Sequence, residues 1–154
     1  MSLTLIERNG QTTCVVPRTV HIGPAKGKNF TERVTKTLRK TFSVLEGTEL
    51  RHGPFLSFNE TETISSVWSS LQNSLVEKKT IFRKDIEKTY ANGKLEGEFT
   101  QRNWLFHSRN KEMQLVSTIT SFYKNGLEDG VRTMKDASGK TVKSWTFKQG
   151  KLVE

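Results

Sequence analysis

Four stretches of the chain repeat one frame, and that frame limits what the chain can fold into more than any other feature. Tyr90–Phe99 reads YANGKLEGEF and Tyr123–Met134 reads YKNGLEDGVRTM. Phe42–Phe58 (FSVLEGTELRHGPFLSF) follows more loosely, and Phe147–Val153 (FKQGKLV) is a half-copy. The shared order is an aromatic residue, a polar residue or two, Gly, a mostly polar stretch, a second Gly and a β-prone run. Such repetition is a statement about architecture. Asn92-Gly93 and Asn125-Gly126 tolerate positive φ, which the tight turns of hairpins demand. The second glycine (Gly53, Gly97, Gly130) stands where the outgoing strand begins, leaving room for a bulge or a close backbone. The frame predicts successive antiparallel hairpins, with Tyr90, Phe99, Tyr123 and Phe147 buried on one sheet face.

These residues resemble the MORN repeat, and more closely its bacterial variant in antitoxin-like repeat proteins. YANGKLEGEF fits that pattern well, and YKNGLEDGVRTM fits with one shift of side chains. The resemblance covers residues 88–154, reaches Phe42–Phe58 weakly and does not extend to Met1–Thr41. Gly126 to Gly150 is 24 residues, close to one repeat of that family. Gly93 to Gly126 is 33, so an insertion is expected near Leu105–Gln114. Gly47 to Gly93 is 46, about two repeats with no glycine marking the middle one. The resemblance implies an elongated antiparallel sheet used for binding and not for catalysis. It also implies a partner that this chain neutralises, such as a toxin or effector.

Outside the repeats the reading is local. Leu3–Ile6 and Thr12–Val16 flank Asn9-Gly10, which suggests a further hairpin. Val20–Ile22 reads as a short strand, and Gly23–Lys28 (GPAKGK) as a loop. Phe30, Val34, Leu38 and Phe42 recur every four residues, which suits a helix face or one face of a strand. The threonines at 31, 35, 37 and 41 favour a long strand. Ile64, Val67, Trp68, Leu71 and Leu75 follow helical spacing, so a short helix is expected over residues 62–77. The expected fold is mainly β, an antiparallel sheet of MORN-like hairpins with that one helix. It forms a single domain over 1–154, with 1–41 an N-terminal β segment and 42–154 hairpin repeats carrying the helical insertion.

Composition suits a thin fold. Hydrophobic residues make up 33% of the chain, which leaves little for a thick two-layer core. Nine Phe, three Trp and two Tyr carry much of the burial. No run of eighteen apolar residues marks a membrane helix. MSLTLIERNG lacks a basic n-region and a long apolar stretch, so no signal peptide is expected. The single Cys14 excludes an internal disulfide, which favours a reducing, cytoplasmic setting.

Charge is the second informative feature. The formal net charge is +9. Lys26–Lys40 and Arg132–Lys151 each hold six basic residues and one acid. Residues 77–112 mix nine basic with six acidic residues and read as ordinary solvated surface. A basic excess fits an acidic protein, nucleic acid or an anionic membrane, whereas lysines that blunt sheet edges explain it equally. Two segments carry the candidate partner-binding residues. One is Lys26, Lys28, Arg33, Lys36, Arg39 and Lys40. The other is Arg102, Trp104, His107 and Arg109, where aromatic and basic residues interleave as on a base-stacking strand. The same alternation marks any half-buried strand of a basic protein.

The inventory for chemistry is thin. His21, His52 and His107 lack metal-ligand spacing. Glu96, Glu98, Glu128 and Asp129 recur with the turn motif, as solvated turn residues do. GPAKGK lacks the phosphate-loop frame: Asn29 stands where Ser or Thr is needed, and Gly23 to Gly27 is one residue short. The chain is therefore expected to be non-catalytic and to need no cofactor or metal. It should bind an acidic protein as an inhibitor, with nucleic-acid binding through 26–40 and 132–151 as the alternative. Anionic-lipid binding ranks below both, and sheet edges offer a route to homo-oligomers.

Overall fold

The computed structural model describes residues 2–107 and 110–153; of His107, Asn110 and Lys111 it describes the backbone alone. Eleven strands form one antiparallel sheet: β1 (Leu3–Thr19), β2 (Asn29–Leu45), β3 (Arg51–Ser69), β4 (Ser74–Ala91), β5 (Lys94–Leu95), β6 (Gly97–His107), β7 (Asn110–Lys124), β8 (Leu127–Glu128), β9 (Gly130–Asp136), β10 (Thr141–Lys148) and β11 (Lys151–Val153). Their order is that of a meander, β1-β2-β3-β4-β6-β7-β9-β10-β11. The two-residue β5 and β8 extend the hairpin ends of β4 and β7. No helix occurs among the described residues.

The repeat frame builds the turns that join the sheet at one end. Asn92 and Gly93 have φ of 49° and 86°, and Asn125 and Gly126 have 53° and 83°. Two consecutive positive φ values mark the type I′ turn, whose twist matches the flanking strands. Gln149 and Gly150 of the half-copy repeat the geometry, with φ of 51° and 83°. The turns also stack. The amides of Gly93, Gly126 and Gly150 donate to the carbonyls of Arg51, Leu95 and Glu128, each at 2.8 Å. The side chains of Leu50, Lys94 and Leu127 lie against the same three glycines. Each turn thus rests on the hairpin before it.

Unequal repeat spacing is absorbed by strand length. β6 and β7 run 11 and 15 residues, whereas β9 and β10 run seven and eight. The long interval from Gly47 to Gly93 holds a single hairpin, β3–β4, paired from Gly53↔Tyr90 to Ser69↔Ser74.

Three local expectations are corrected. Residues 62–77 form the end of β3, a turn and the start of β4, not a helix. Ile64 and Trp68 are four apart, which places them on one face of a strand as readily as of a helix. The run holds β-branched Thr63, Ile64, Val67 and Val76. Asn73, at φ 50°, turns the chain, and Leu71 stands 98% exposed in the turn instead of joining an apolar stripe. The hairpin expected at Asn9-Gly10 is absent as well. β1 passes straight through it, with Asn9 opposite Arg39 and Gly10 opposite Leu38. Val20–Ile22 forms no strand and leads into the 23–28 turn. The long-strand reading of 30–45 matches β2.

Opposed residues in an antiparallel ladder share a face, so the registers divide the sheet into two. One face carries Phe42, Phe55, Tyr90, Phe99, Tyr123, Trp145 and Phe147; the other carries Phe58, Trp104 and Phe122. Tyr90, Phe99, Tyr123 and Phe147 share the first face as expected, each half-buried. The tightest packing is on that face: Phe42, Val44 and Phe55 are buried, and Ile6 and Tyr90 pack against them. Among the described residues no second layer covers either face of this one sheet, and Phe82 and Leu56 stand 59% and 50% exposed on opposite faces.

Candidate functional site

The Phe42 face concentrates positive charge. Among the described residues its strands direct Arg8, Arg18, Lys36, Lys40, Arg51, Lys78, Lys84, Lys88, Arg132 and Lys143 to that side, against Glu32, Glu128 and Asp136. A further carboxylate, Glu112, stands where the β6–β7 register slips. Among the described residues, Arg18–Glu32 (3.7 Å) and Arg132–Glu128 (2.6 Å) are the ion pairs of this face. Lys36, Lys40, Lys78 and Lys84 have neither ion pair nor hydrogen bond among the described residues.

Near the stacked turns this face is a layer of rings roofed by cations. Phe42 and Phe55 stack with centroids 5.7 Å apart, and Tyr90 meets Phe55 edge-on at 5.9 Å. The Arg51 guanidinium lies 4.7 Å from the Phe42 ring, 5.2 Å from Phe55 and 5.5 Å from Tyr90. Lys88 lies 4.6 Å from Phe55. At the far end of the sheet, Arg132 lies 4.5 Å from Phe147 and Lys143 lies 4.8 Å from Trp145. Such contacts hold cations over ring faces. The two repeat tyrosines titrate in opposite directions from their ordinary value. Burial pushes the Tyr90 phenol up, but the Arg51 hydrogen bond (3.3 Å), Lys88 and both charges bring it below the ordinary 10.0. Tyr123 is raised, by burial first and then by the Glu128 carboxylate.

Away from the turns, the middle of this face is a polar floor. Leu38, Asn59, Lys84, Asn103, Ser117 and Asp136 form one row across β2, β3, β4, β6, β7 and β9. Asn103 Nδ2 donates to Ser117 Oγ at 2.9 Å, and Gln101 Nε2 donates to Asn103 Oδ1 at 3.2 Å. An open groove of about 580 Å³ runs past Asn59, Thr61, Phe82, Lys84, Asn103 and Leu105.

The Phe58 face is more closely neutralised. Asp85 accepts from Arg83 Nε at 2.9 Å, Arg83 Nη2 at 3.1 Å and Trp104 Nε1 at 3.0 Å. Arg83 in turn lies 4.6 Å from the Phe58 ring, with Arg39 on the same ring at 5.7 Å. Lys79–Glu62 and Arg102–Glu87 are further pairs, both at 3.4 Å.

The residues singled out in the sequence are therefore dispersed. Lys26 and Lys28 are exposed in the turn between β1 and β2. Lys36 and Lys40 lie on the Phe42 face, but Arg33 and Arg39 alternate onto the other. Arg102 and Trp104 belong to the Phe58 face, His107 ends β6 opposite Thr80, and Arg109 lies outside the described residues. Arg8, Arg51, Lys84, Lys88, Arg132 and Lys143 join Lys36 and Lys40 only through register, which a one-dimensional charge run does not display.

Two residues weighed for chemistry hold turns. His52 Nδ1 accepts the Asn92 amide at 3.1 Å, and Glu96 Oε2 accepts the Asn125 amide at 2.7 Å. Among the described residues no cluster of His, Cys, Asp and Glu could hold a metal ion. No helix there is long and apolar enough to cross a membrane. Comparison with protein-family models, curated proteins and solved structures found no match.

Proposed function

We propose that the protein is a non-catalytic binding protein that holds an acidic protein partner against the Phe42 face of its sheet, as an inhibitor of the antitoxin-like kind would. The observation that carries this reading is the imbalance on that face, ten cations against at most four carboxylates, whereas the Phe58 face sets Glu7, Glu60, Glu62, Glu77, Asp85, Glu87 and Glu98 against its cations. Charge concentrated on one surface speeds encounter with a partner of opposite sign and rejects partners of like sign. The rings argue for a protein over nucleic acid. Base stacking needs free aromatic faces, yet Phe42, Phe55, Trp145 and Phe147 carry Arg51, Lys88, Lys143 and Arg132 over them, and Phe82 is the one strongly exposed ring of this face among the described residues.

The test compares the two faces. One variant carries Lys36→Glu, Lys40→Glu and Lys84→Glu; the control carries Arg33→Glu and Lys135→Glu on the other face. The wild-type protein should retain from nuclease-treated host lysate an acidic protein at fixed stoichiometry. The control should retain it too, while the first variant loses it mainly through slower association. Micromolar binding of the wild-type protein to random-sequence oligonucleotides at physiological salt, abolished by the first variant, would replace the protein partner with nucleic acid. In that case each lost phosphate contact lowers the log–log salt slope by about 0.9 on duplex DNA.

A further inference from the structure

The sheet has two edges, and they are built differently. At one end β11 is three residues long and β10 eight. Lys143, Lys148 and Lys151 lie along them, and the β9–β10 register slips between Thr141 and Lys143. Short strands, lysines and bulges keep an edge from pairing with another chain. The opposite edge, β1, has none of these. Its register with β2 is unbroken over 17 residues, from Leu3↔Leu45 to Thr19↔Asn29. It holds no lysine, and its charges are Glu7, Arg8 and Arg18. Leu3, Leu5 and Val15 stand 49%, 63% and 57% exposed along it. Its outer side has no strand partner among the described residues, so a row of backbone donors and acceptors points outward, interrupted at Pro17, which has no N–H.

We propose that β1 pairs antiparallel with β1 of a second copy, about a two-fold axis normal to the sheet at Gln11. Such an axis keeps each face with itself, so a residue must oppose one of the same parity. Centring on Gln11 runs the ladder along the length of β1, with Leu5 opposite Pro17, whose missing N–H removes one bond near each end. Ile6 then meets Val16, Glu7 meets Val15, Arg8 meets Cys14 and Arg18 meets Thr4. No like charges stand opposite, and the Ile6–Val16 pair forms twice. Moving the axis two residues, to Thr13, would set Arg8 against Arg18, and like charges directly opposite are destabilising. Any extended strand could satisfy the outer backbone groups. The edge's own sequence, however, supplies a strand of full length and compatible charge. The dimer brings the Phe42 faces of both copies to one side of a continuous sheet, and it stands whether or not that face binds an acidic protein.

The test uses the full chain with Cys14→Ser, so that no native thiol remains, and adds Gln11→Cys or Val15→Cys singly. Opposed residues at the axis have Cβ atoms about 4.5–5.5 Å apart, within reach of a disulfide after slight adjustment. The two copies of residue 15 would be eight residues apart along the strands, roughly 27 Å. The Cys14→Ser protein should sediment at twice 17.6 kDa, and mild oxidation should cross-link the Gln11→Cys protein but not the Val15→Cys protein. Gln11→Lys should weaken the dimer severalfold, with the loss shrinking at high salt. A monomer at every concentration up to the solubility limit overturns the proposal. So does a dimer that cross-links at neither site, only at residue 15, or equally at both.

Discussion

Gly93 and Gly10 are both preceded by asparagine, and they place opposite demands on the backbone. Gly93 sits at φ 86°, where a Cβ would also stand 2.9 Å from Leu50 Cδ2. Leu50 is 48% exposed and can yield, so the lasting cost of a side chain there is conformational. Gly93→Ala should destabilise the protein by about 1–3 kcal/mol. Gly10 lies within β1 at a φ open to any residue, and no atom comes within 4 Å of where its Cβ would stand. Gly10→Ala should be neutral or stabilising by roughly 0.5–1 kcal/mol, because alanine loses less backbone freedom on folding. Urea denaturation of the two variants checks the pair. Equal losses would mean that turn conformation does not set the difference. The same comparison shows what sequence conveys at this scale. Asn-Gly marks a turn where the flanking residues pair with each other. Beside a neighbour as long as β2, which offers 17 partners in register, the same dipeptide is drawn into the ladder.

At the scale of elements, pairing outweighs local periodicity. The apolar spacing of Ile64, Val67, Trp68, Leu71 and Leu75 suits a helix, but β3 and β4 pair without a break through Val67↔Val76 and Trp68↔Leu75. Nothing in a single window of sequence announces a partner strand, which is why this segment is illegible there while the repeat turns are not. The tip of this hairpin has a further property. The β2–β3 ladder ends at Arg33↔Ile64, and the β4–β6 ladder begins at Thr80↔His107. Among the described residues, the strand ladders beyond those points pair β3 and β4 with each other, as a two-stranded arm. An isolated hairpin adds little stability of its own. Replacing residues 66–77 with Asn-Gly, so that Ser65 and Lys78 flank a two-residue turn, should leave stability within about 1 kcal/mol of the parent. Circular dichroism during urea unfolding measures this. A shortened protein that fails to fold would show that the arm supports the sheet.

Across the whole molecule, each strand is held by its lateral neighbours, since no second layer spans the sheet. The candidate site is a product of this scale. The sequence displays the basic runs 26–40 and 132–151, but alternation sends Lys36 and Lys40 to one face and Arg33 and Arg39 to the other. Only the registers bring Lys36 and Lys40 together with Arg132 and Lys143, and those registers depend on strands far apart in the chain. The same lack of a spanning core governs unfolding. In a structure where each unit touches only its neighbours, stability is close to a sum of local and nearest-neighbour contributions, and the ends open first. The two ends here are unequal. β1 shares 17 register pairs with β2, whereas β11 shares three with β10. The buried cluster of Phe42, Val44 and Phe55 lies toward the β1 side. Native-state hydrogen exchange should therefore show β10 and β11 opening at the lowest free energy. Protection should rise through β9 and β7 and approach the global unfolding free energy in β2, β3 and β4. Removing the Arg51 side chain, which roofs Phe42, Phe55 and Tyr90, should lower protection in β2–β4 and leave the β10–β11 opening unchanged. Uniform protection from β1 to β11, or an Arg51→Ala effect that reaches β11 at full strength, would show that the sheet unfolds as one cooperative body.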